Sequence, residues 1–172
     1  LGLMALETFL DTKLKDNIEI NITKSLIDFD SFKELLDLIV EFKPDLIGIR
    51  AMTFYSGFFH EGVAYLRDKG IKTPIIAGGP YPTASYHDIL KDKNIDVCAI
   101  AEGEFTLLEF INAMIENGKQ LPNFKALKKI KGIAFSHEKK TNASKGIASI
   151  PVSGIIPEMI AVIIDEIASN TH

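Results

Sequence analysis

The chain has a single cysteine, Cys98, among 172 residues. A lone thiol excludes an internal disulfide and any cysteine-built zinc or iron–sulfur site within the chain. It fits a reducing, cytoplasmic compartment. No apolar run is long enough to span a bilayer. Leu1 to Leu10 lack the basic head and cleavage site of a signal peptide. A start at Leu1, without methionine, reads as an excised or processed piece. Basic excess is missing too. Net charge is -4, and no basic cluster is interleaved with aromatics, so neither nucleic acid nor a membrane is an expected partner. The densest basic run, Lys125, Lys128, Lys129 and Lys131, reads as a solvated face or linker. Paired carboxylates, a nucleophile with its base and a Walker-type loop are all lacking, so no self-contained catalytic site is visible.

What is present is the composition of one globular domain with a sizeable core, 47% hydrophobic and 24% charged. Leu3, Leu6, Phe9, Leu10 and Leu14 have helical spacing. Ile18–Thr23 alternates as a half-exposed strand near an edge. Asp30-Ser31 offers an N-cap to a helix carrying Phe32, Leu35, Leu36, Ile39 and Val40, which Lys43-Pro44 ends. Asp45–Ile49 is a buried strand followed by the loop Arg50–Gly57. A helix through Phe58, Val63 and Leu66 stops at Lys69-Gly70. Pro74–Ala77 is the next buried strand, and it runs into Gly78-Gly79-Pro80-Tyr81-Pro82-Thr83, expected to be a sharp exposed loop. A short helix over 84–90, a strand over 96–101 and the segment Glu102–Thr106 lead to a helix ending at Asn117-Gly118. Strand and helix alternate with short connections, which predicts a doubly wound, mostly parallel sheet covered on both faces. Right-handed crossovers place the named loops together at the carboxyl edge, where ligands bind in such sheets.

The tail is less regular. Ile130–Phe135 and Ile147–Val152 are expected to pair as a hairpin around the tip Ser136–Lys145. Met159–Asp165 reads either as an amphipathic helix or as a β-branched central strand, and the strand reading fits better. It supplies the central first strand that the preceding residues lack and makes a five-stranded sheet, as in a circular permutation or a tail that fills a gap. The two chain ends would then lie close together. The whole chain, 1–172, reads as one domain, with a core over 1–135, a hairpin or linker over 136–156 and the strand-bearing tail over 157–172.

Gly78-Gly79-Pro80-Tyr81-Pro82-Thr83, followed about twenty residues later by Glu102-Gly103-Glu104-Phe105-Thr106, resembles the cobalamin-binding domain of cobalamin-dependent radical SAM enzymes. Leu1-Gly2-Leu3-Met4, Pro44–Ile49 with the Thr53 loop, and Lys131-Gly132-Ile133-Ala134 match the same family in order, over roughly residues 1–135. The resemblance implies a flavodoxin-like (Rossmann-like) α/β fold and a bound corrinoid, cobalamin. It also implies a radical SAM domain, in cis in a parent protein or in trans. That domain's Cys-x-x-x-Cys-x-x-Cys motif cannot come from one cysteine, so no iron–sulfur cluster is expected here. The Asp-x-His-x-x-Gly loop of the mutase-type carriers is missing around His60, His87, His137 and His172. The lower cobalt ligand is therefore unassigned. His60 and His87 are read in early helical turns with surface or capping roles.

The cofactor-binding residues proposed on this basis are Thr53, Phe54, Tyr55, Ser56, Gly78, Gly79, Pro80, Tyr81, Thr83, Glu102, Gly103 and Glu104. Gly78 and Gly79 would allow close approach and offer amides. Tyr81 would wall the corrin, and Thr83 would bond phosphate or amide oxygens. Each position also has a plain structural reading. The glycine pair serves a turn, Phe54 packs in the core, Ser56 caps a helix, and Glu104 complements a helix N-terminus. Arg50 is either a phosphate partner or a salt-bridged edge residue. The competing functions are a cofactor-free flavodoxin-like interaction domain and a nucleotide or flavin binder at the same edge.

Overall fold

The computed structural model describes residues 2–15, 18–100, 102–137, 140–143 and 159–165. Six helices and seven strands are present among them. They are α1 (Gly2–Leu14), β1 (Ile18–Lys24), α2 (Phe32–Phe42), β2 (Leu46–Arg50), α3 (Ser56–Asp68), β3 (Ile75–Gly78), α4 (Pro80–Ile89), β4 (Val97–Ala99), α5 (Gly103–Glu116), α6 (Phe124–Leu127), β5 (Ile133–His137), β6 (Lys140–Ala143) and β7 (Met159–Asp165).

All seven strands form one sheet, in the order β1-β7-β2-β3-β4-β5-β6. The first five run parallel, and β5 and β6 are antiparallel. The doubly wound α/β fold is as the sequence predicts, with Met159–Asp165 a central strand and not a helix. It sits between β1 and β2, with Ala161 opposite both Ile20 and Leu46. Sheet size differs from expectation. The hairpin continues the sheet beyond β4, so there are seven strands, not five. The hairpin is also tighter. Ser136 and His137 pair with Thr141 and Lys140, so most of the expected tip is itself strand. Ile147–Val152 and the two chain ends lie outside the described residues.

Strands β2, β3, β4 and β5 alternate between two cores, one on either face of the sheet. Ile47, Ile49, Ile75, Ala77 and Cys98 pack under α2, α3 and α4. Leu46, Ile76, Val97, Ala99 and Ile133 pack under α1, α5 and α6. This two-sided burial is why the internal strands read as continuous apolar runs. Burial pushes the Cys98 thiol up to about 12. The thiolate is the reactive form, so this cysteine is an inert core residue.

Helix limits follow local chemistry. Ser31 Oγ accepts the Glu34 N–H at 3.3 Å and opens α2. Lys43, left-handed at φ 53°, closes it before Pro44. Gly70, at φ 88°, closes α3. Helix α4 begins earlier than predicted. Pro80-Tyr81-Pro82-Thr83 is its first turn, not an extended loop. Proline is tolerated there because the first N–H groups of a helix have no intrahelical acceptor. Likewise Gly103–Thr106 form the first turn of α5. The short helix α6 has no counterpart in the sequence reading.

The amino edge is stapled by Arg67. Its guanidinium donates to Asn94 O at 2.9 Å, Ile71 O at 2.9 Å, Thr73 O at 2.8 Å and Asp96 Oδ2 at 2.8 Å. Asp96 Oδ2 also accepts the Ile75 N–H at 2.8 Å. Burial raises the Asp96 carboxyl above its usual range, against the pull of Ile75 N–H and Arg67. Arg67→Met leaves that carboxylate and three carbonyls without their donor. The expected loss is about 3 kcal/mol, read as a lower midpoint in denaturant unfolding.

Candidate functional site

The carboxyl ends of β1, β7, β2, β3 and β4 bring four described segments to one edge. These are the turn 25–29, the segment Ala51–Ser56, the start of α4 and the start of α5. The strand order reverses at β7 and β2, so the switch-point crevice lies beside Ala51–Ser56.

Thr53, Phe54 and Tyr55 form a single 3-10 turn, and Ser56 is the first residue of α3. Phe54 is 92% exposed, which overturns its reading as a core residue. The Ser56 side chain makes no capping bond, because the N-cap position is Tyr55. Thr53 is exposed.

Gly79 adopts φ 98° and ψ -168°, a region essentially reserved for glycine. A Cβ there would stand 3.2 Å from both Ala51 O and Arg50 Cγ. The β3–α4 junction is thus packed against the β2 loop. Ala51 N–H donates to Gly78 O at 2.9 Å, and Tyr81 N–H donates to Ala51 O at 3.1 Å. Thr83 N–H and Oγ1 both donate to Gly79 O, at 3.1 and 2.9 Å. Pro80 and Pro82 have no N–H. The amides of the first α4 turn are therefore absent or occupied, which makes it a poor phosphate cradle. Gly79 serves loop-to-loop packing. Gly79→Ala is expected to cost about 2 kcal/mol from backbone strain alone, measured by denaturant unfolding, and to shift the amide resonances of Ala51–Tyr55.

Tyr81 does not stand free at the edge. Its hydroxyl lies 3.2 Å from His60 Nε2, and His60 Nδ1 lies 2.6 Å from Asp92 Oδ2. His60 is therefore a half-buried linker between α3 and α4, not a surface residue. His87 lies in the last turn of α4, stacked at 4.1 Å on Tyr86.

At the start of α5, Glu102 is exposed, and a Cβ on Gly103 would meet nothing within 4 Å among the described residues. Two carboxylates, Glu102 and Glu104, flank these amides. They oppose a phosphate there and suit N–H donors such as a rim of carboxamides. Glu104, in the first turn, also complements the helix dipole. Arg50 is in register with Gly78 and with Asp165 at the edge.

Exposed apolar residues complete the edge, and among them Leu26 and Ile27 were not foreseen from the sequence. Of the eight exposed large hydrophobic residues among the described ones, five lie in these segments: Leu26, Ile27, Phe54, Tyr55 and Phe105. Leu26 is left-handed at φ 64°, in a turn that leaves Ile27 72% exposed. The available signal was two apolar residues just beyond the end of a strand. Thr23 Oγ1, second from the end of β1, is buried and unpaired. Among the described residues no group of His, Cys, Asp and Glu is gathered as a metal site. None of their helices is long and apolar enough to cross a membrane.

The B12 binding domain family model matches residues 1–111, spanning α1 to the middle of α5. The chain belongs to this B12-binding domain family. This B12-binding domain is also 36% identical over 77 residues to the anaerobic magnesium-protoporphyrin IX monomethyl ester cyclase of Synechocystis sp., which is 44% of this chain and 14% of the cyclase. The chain thus spans about a seventh of that relative. An apolar rim, exposed hydroxyls and carboxylate acceptors fit the apolar faces and amide rim of a corrinoid.

Proposed function

We propose that this B12-binding domain is the corrinoid-holding module of a radical SAM-type enzyme, a fragment of a methyltransferase or cyclase. It holds cobalamin at the carboxyl edge of the sheet. The observation that carries this reading is the set of five exposed apolar side chains on the carboxyl-edge segments of a B12-family fold. Thr53, Phe54, Tyr55 and Ser56 line the crevice, with the hydroxyls as donors and the rings as apolar walls. Gly78, Gly79, Pro80 and Thr83 set the shape of the adjoining wall, and Tyr81 joins it to α3. Glu102 and Glu104 accept amide protons beside Gly103. When bound, cobalamin supplies a cobalt centre for methyl transfer or radical chemistry.

The catalytic iron–sulfur domain would be a separate unit in cis or in trans, since one cysteine leaves no cluster motif in this chain. A cytoplasmic setting goes with this reading. Strand β7, central in the sheet but late in sequence, reads as the family's first strand in permuted order. The core over 1–135 and the tail over 157–172 then form one domain.

The test is retention. The protein is mixed with hydroxocobalamin and desalted, and its visible spectrum is recorded. A near-stoichiometric corrin band is expected. Its complete absence, with the fold intact by circular dichroism, would contradict the reading.

A further inference from the structure

The motif Lys131-Gly132-Ile133-Ala134 has no part in the crevice described above, and it lies beyond residue 111, where the match to the B12 family model ends. The fold nonetheless brings it to the same edge. β5 runs antiparallel to β4, with Ile133 opposite Ala99, so the residues that enter β5 stand beside those that leave β4. Ile100 N–H donates to Gly132 O at 2.7 Å and continues the pairing past the end of β4. The chain then turns into α5, whose first turn carries Gly103, Glu104 and Thr106.

That first turn lacks the usual fastening. Glu102 is its N-cap and makes no side-chain capping bond, whereas a capping side chain ordinarily fixes where a helix begins. The bond that holds the turn comes from 25 positions away in sequence. Thr106 is 3% exposed, and its Oγ1 donates to Lys131 O at 3.0 Å. Lys131 N–H in turn donates to Glu109 Oε2 at 3.1 Å. Both backbone polar groups of Lys131 are thus held by α5. Gly132 lets the two segments come this close. It is left-handed at φ 71°, and a Cβ there would stand 2.5 Å from Thr106 Oγ1.

We infer that Thr106 is a positioning residue. Seated on Lys131 O, it fixes where the first α5 turn sits, and with it Glu102, Gly103 and Glu104 at the carboxyl edge. The Lys131-Gly132 motif therefore belongs to the ligand-holding unit, although the family match stops short of it. This inference rests on the corrinoid reading only for what those three residues hold. A carboxylate moved out of hydrogen-bond reach of a corrin carboxamide loses that bond. One such bond corresponds to about a three- to ten-fold change in affinity.

The test uses the full 15N-labelled chain and cyanocobalamin. Thr106→Val keeps the shape of the side chain and removes the donor, and Thr106→Ser keeps the donor. In the ligand-free chain, Thr106→Val is expected to shift the amides of Gly103 and Glu104 and to leave those of Thr53–Ser56 in place. On titration it is expected to bind about three- to ten-fold more weakly. Ligand-induced shifts should shrink at Gly103 and Glu104 and persist at Thr53–Ser56, and Thr106→Ser should restore the parent behaviour. A merely structural hydroxyl would lower the unfolding midpoint without changing the affinity of chains that remain folded. Unchanged affinity in Thr106→Val, unmoved Gly103 and Glu104 amides, a loss spread evenly over both segments, or no rescue by Thr106→Ser overturns the inference. Should Thr106→Val not fold, Glu109→Ala removes the exposed half of the same staple. The Gly103 and Glu104 amides are then expected to shift, and their staying in place overturns it. Failure of cyanocobalamin to bind the parent chain, with the free-chain shifts present, strikes the corrinoid reading and leaves the positioning role standing.

Discussion

Phe54→Ser is expected to weaken corrinoid binding about thirty-fold while leaving the unfolding midpoint unchanged. Covering a phenylalanine ring is worth about 2 kcal/mol, and 1.4 kcal/mol is ten-fold in affinity. The ring is 92% exposed in the free chain, so little folded-state packing is lost with it. Replacing an exposed apolar residue by a polar one is ordinarily neutral for folding. The pair of measurements is an equilibrium titration with hydroxocobalamin and a denaturant unfolding curve. A weakened titration with an unmoved curve assigns Phe54 to the ligand surface. An unaltered affinity would remove it from the site.

The second large effect is on the fold. Val162→Pro is expected to abolish cooperative folding of the chain. Val162 lies opposite Asn21 of β1 and Ile47 of β2, inside the strand that joins the two. Proline there removes a backbone donor and is excluded from central strands, at about 3 kcal/mol or more. That is a large share of the 5–15 kcal/mol typical of a whole domain. The consequence reaches the site. β1 would lose its only strand partner among the described residues, because it is the edge of their sheet. The crevice beside Ala51–Ser56 would lose one flank. Circular dichroism and thermal unfolding check this. A cooperative transition within a few degrees of the parent would mean that β7 does not hold the sheet together.

The contrast between these two positions shows what the sequence makes legible. Met159–Ile164 and Ile75–Ala77 are apolar without interruption, a run that suits an internal strand of a parallel sheet. Their place in the sheet could therefore be read before any coordinates. Phe54 was open to two readings, a ligand wall and a core residue. A phenylalanine between a buried strand and a helix has the composition of a core residue, and only the 3-10 turn at Thr53–Tyr55 aims it outward. Pro80 and Pro82 were ambiguous for a related reason. The same residue breaks an established helix and begins a new one. The His60, Tyr81 and Asp92 cluster was illegible because its members are 21 and 32 positions from the histidine. No periodicity links them, and the packing of α3 against the start of α4 does.

The role of Gly79 also changed in kind. Its sequence neighbours suggested a cradle of amides for a ligand. The conformation at φ 98° and the 3.2 Å approach to Ala51 O show that the glycine is required by the adjoining loop. The β3–α4 junction is packed against the β2 loop, so the conformation of Ala51–Ser56 and the shape of the Gly78–Thr83 wall are coupled.

The most direct measurement of the central claim is a map of amide shifts on adding hydroxocobalamin to the 15N-labelled chain. Binding at the carboxyl edge predicts the largest changes at Thr53–Ser56, Gly78, Gly79 and Gly103, with little at Ile71, Thr73 and Asn94 on the amino edge. Changes concentrated at the Arg67 end, or none at all at saturating corrinoid, would contradict it.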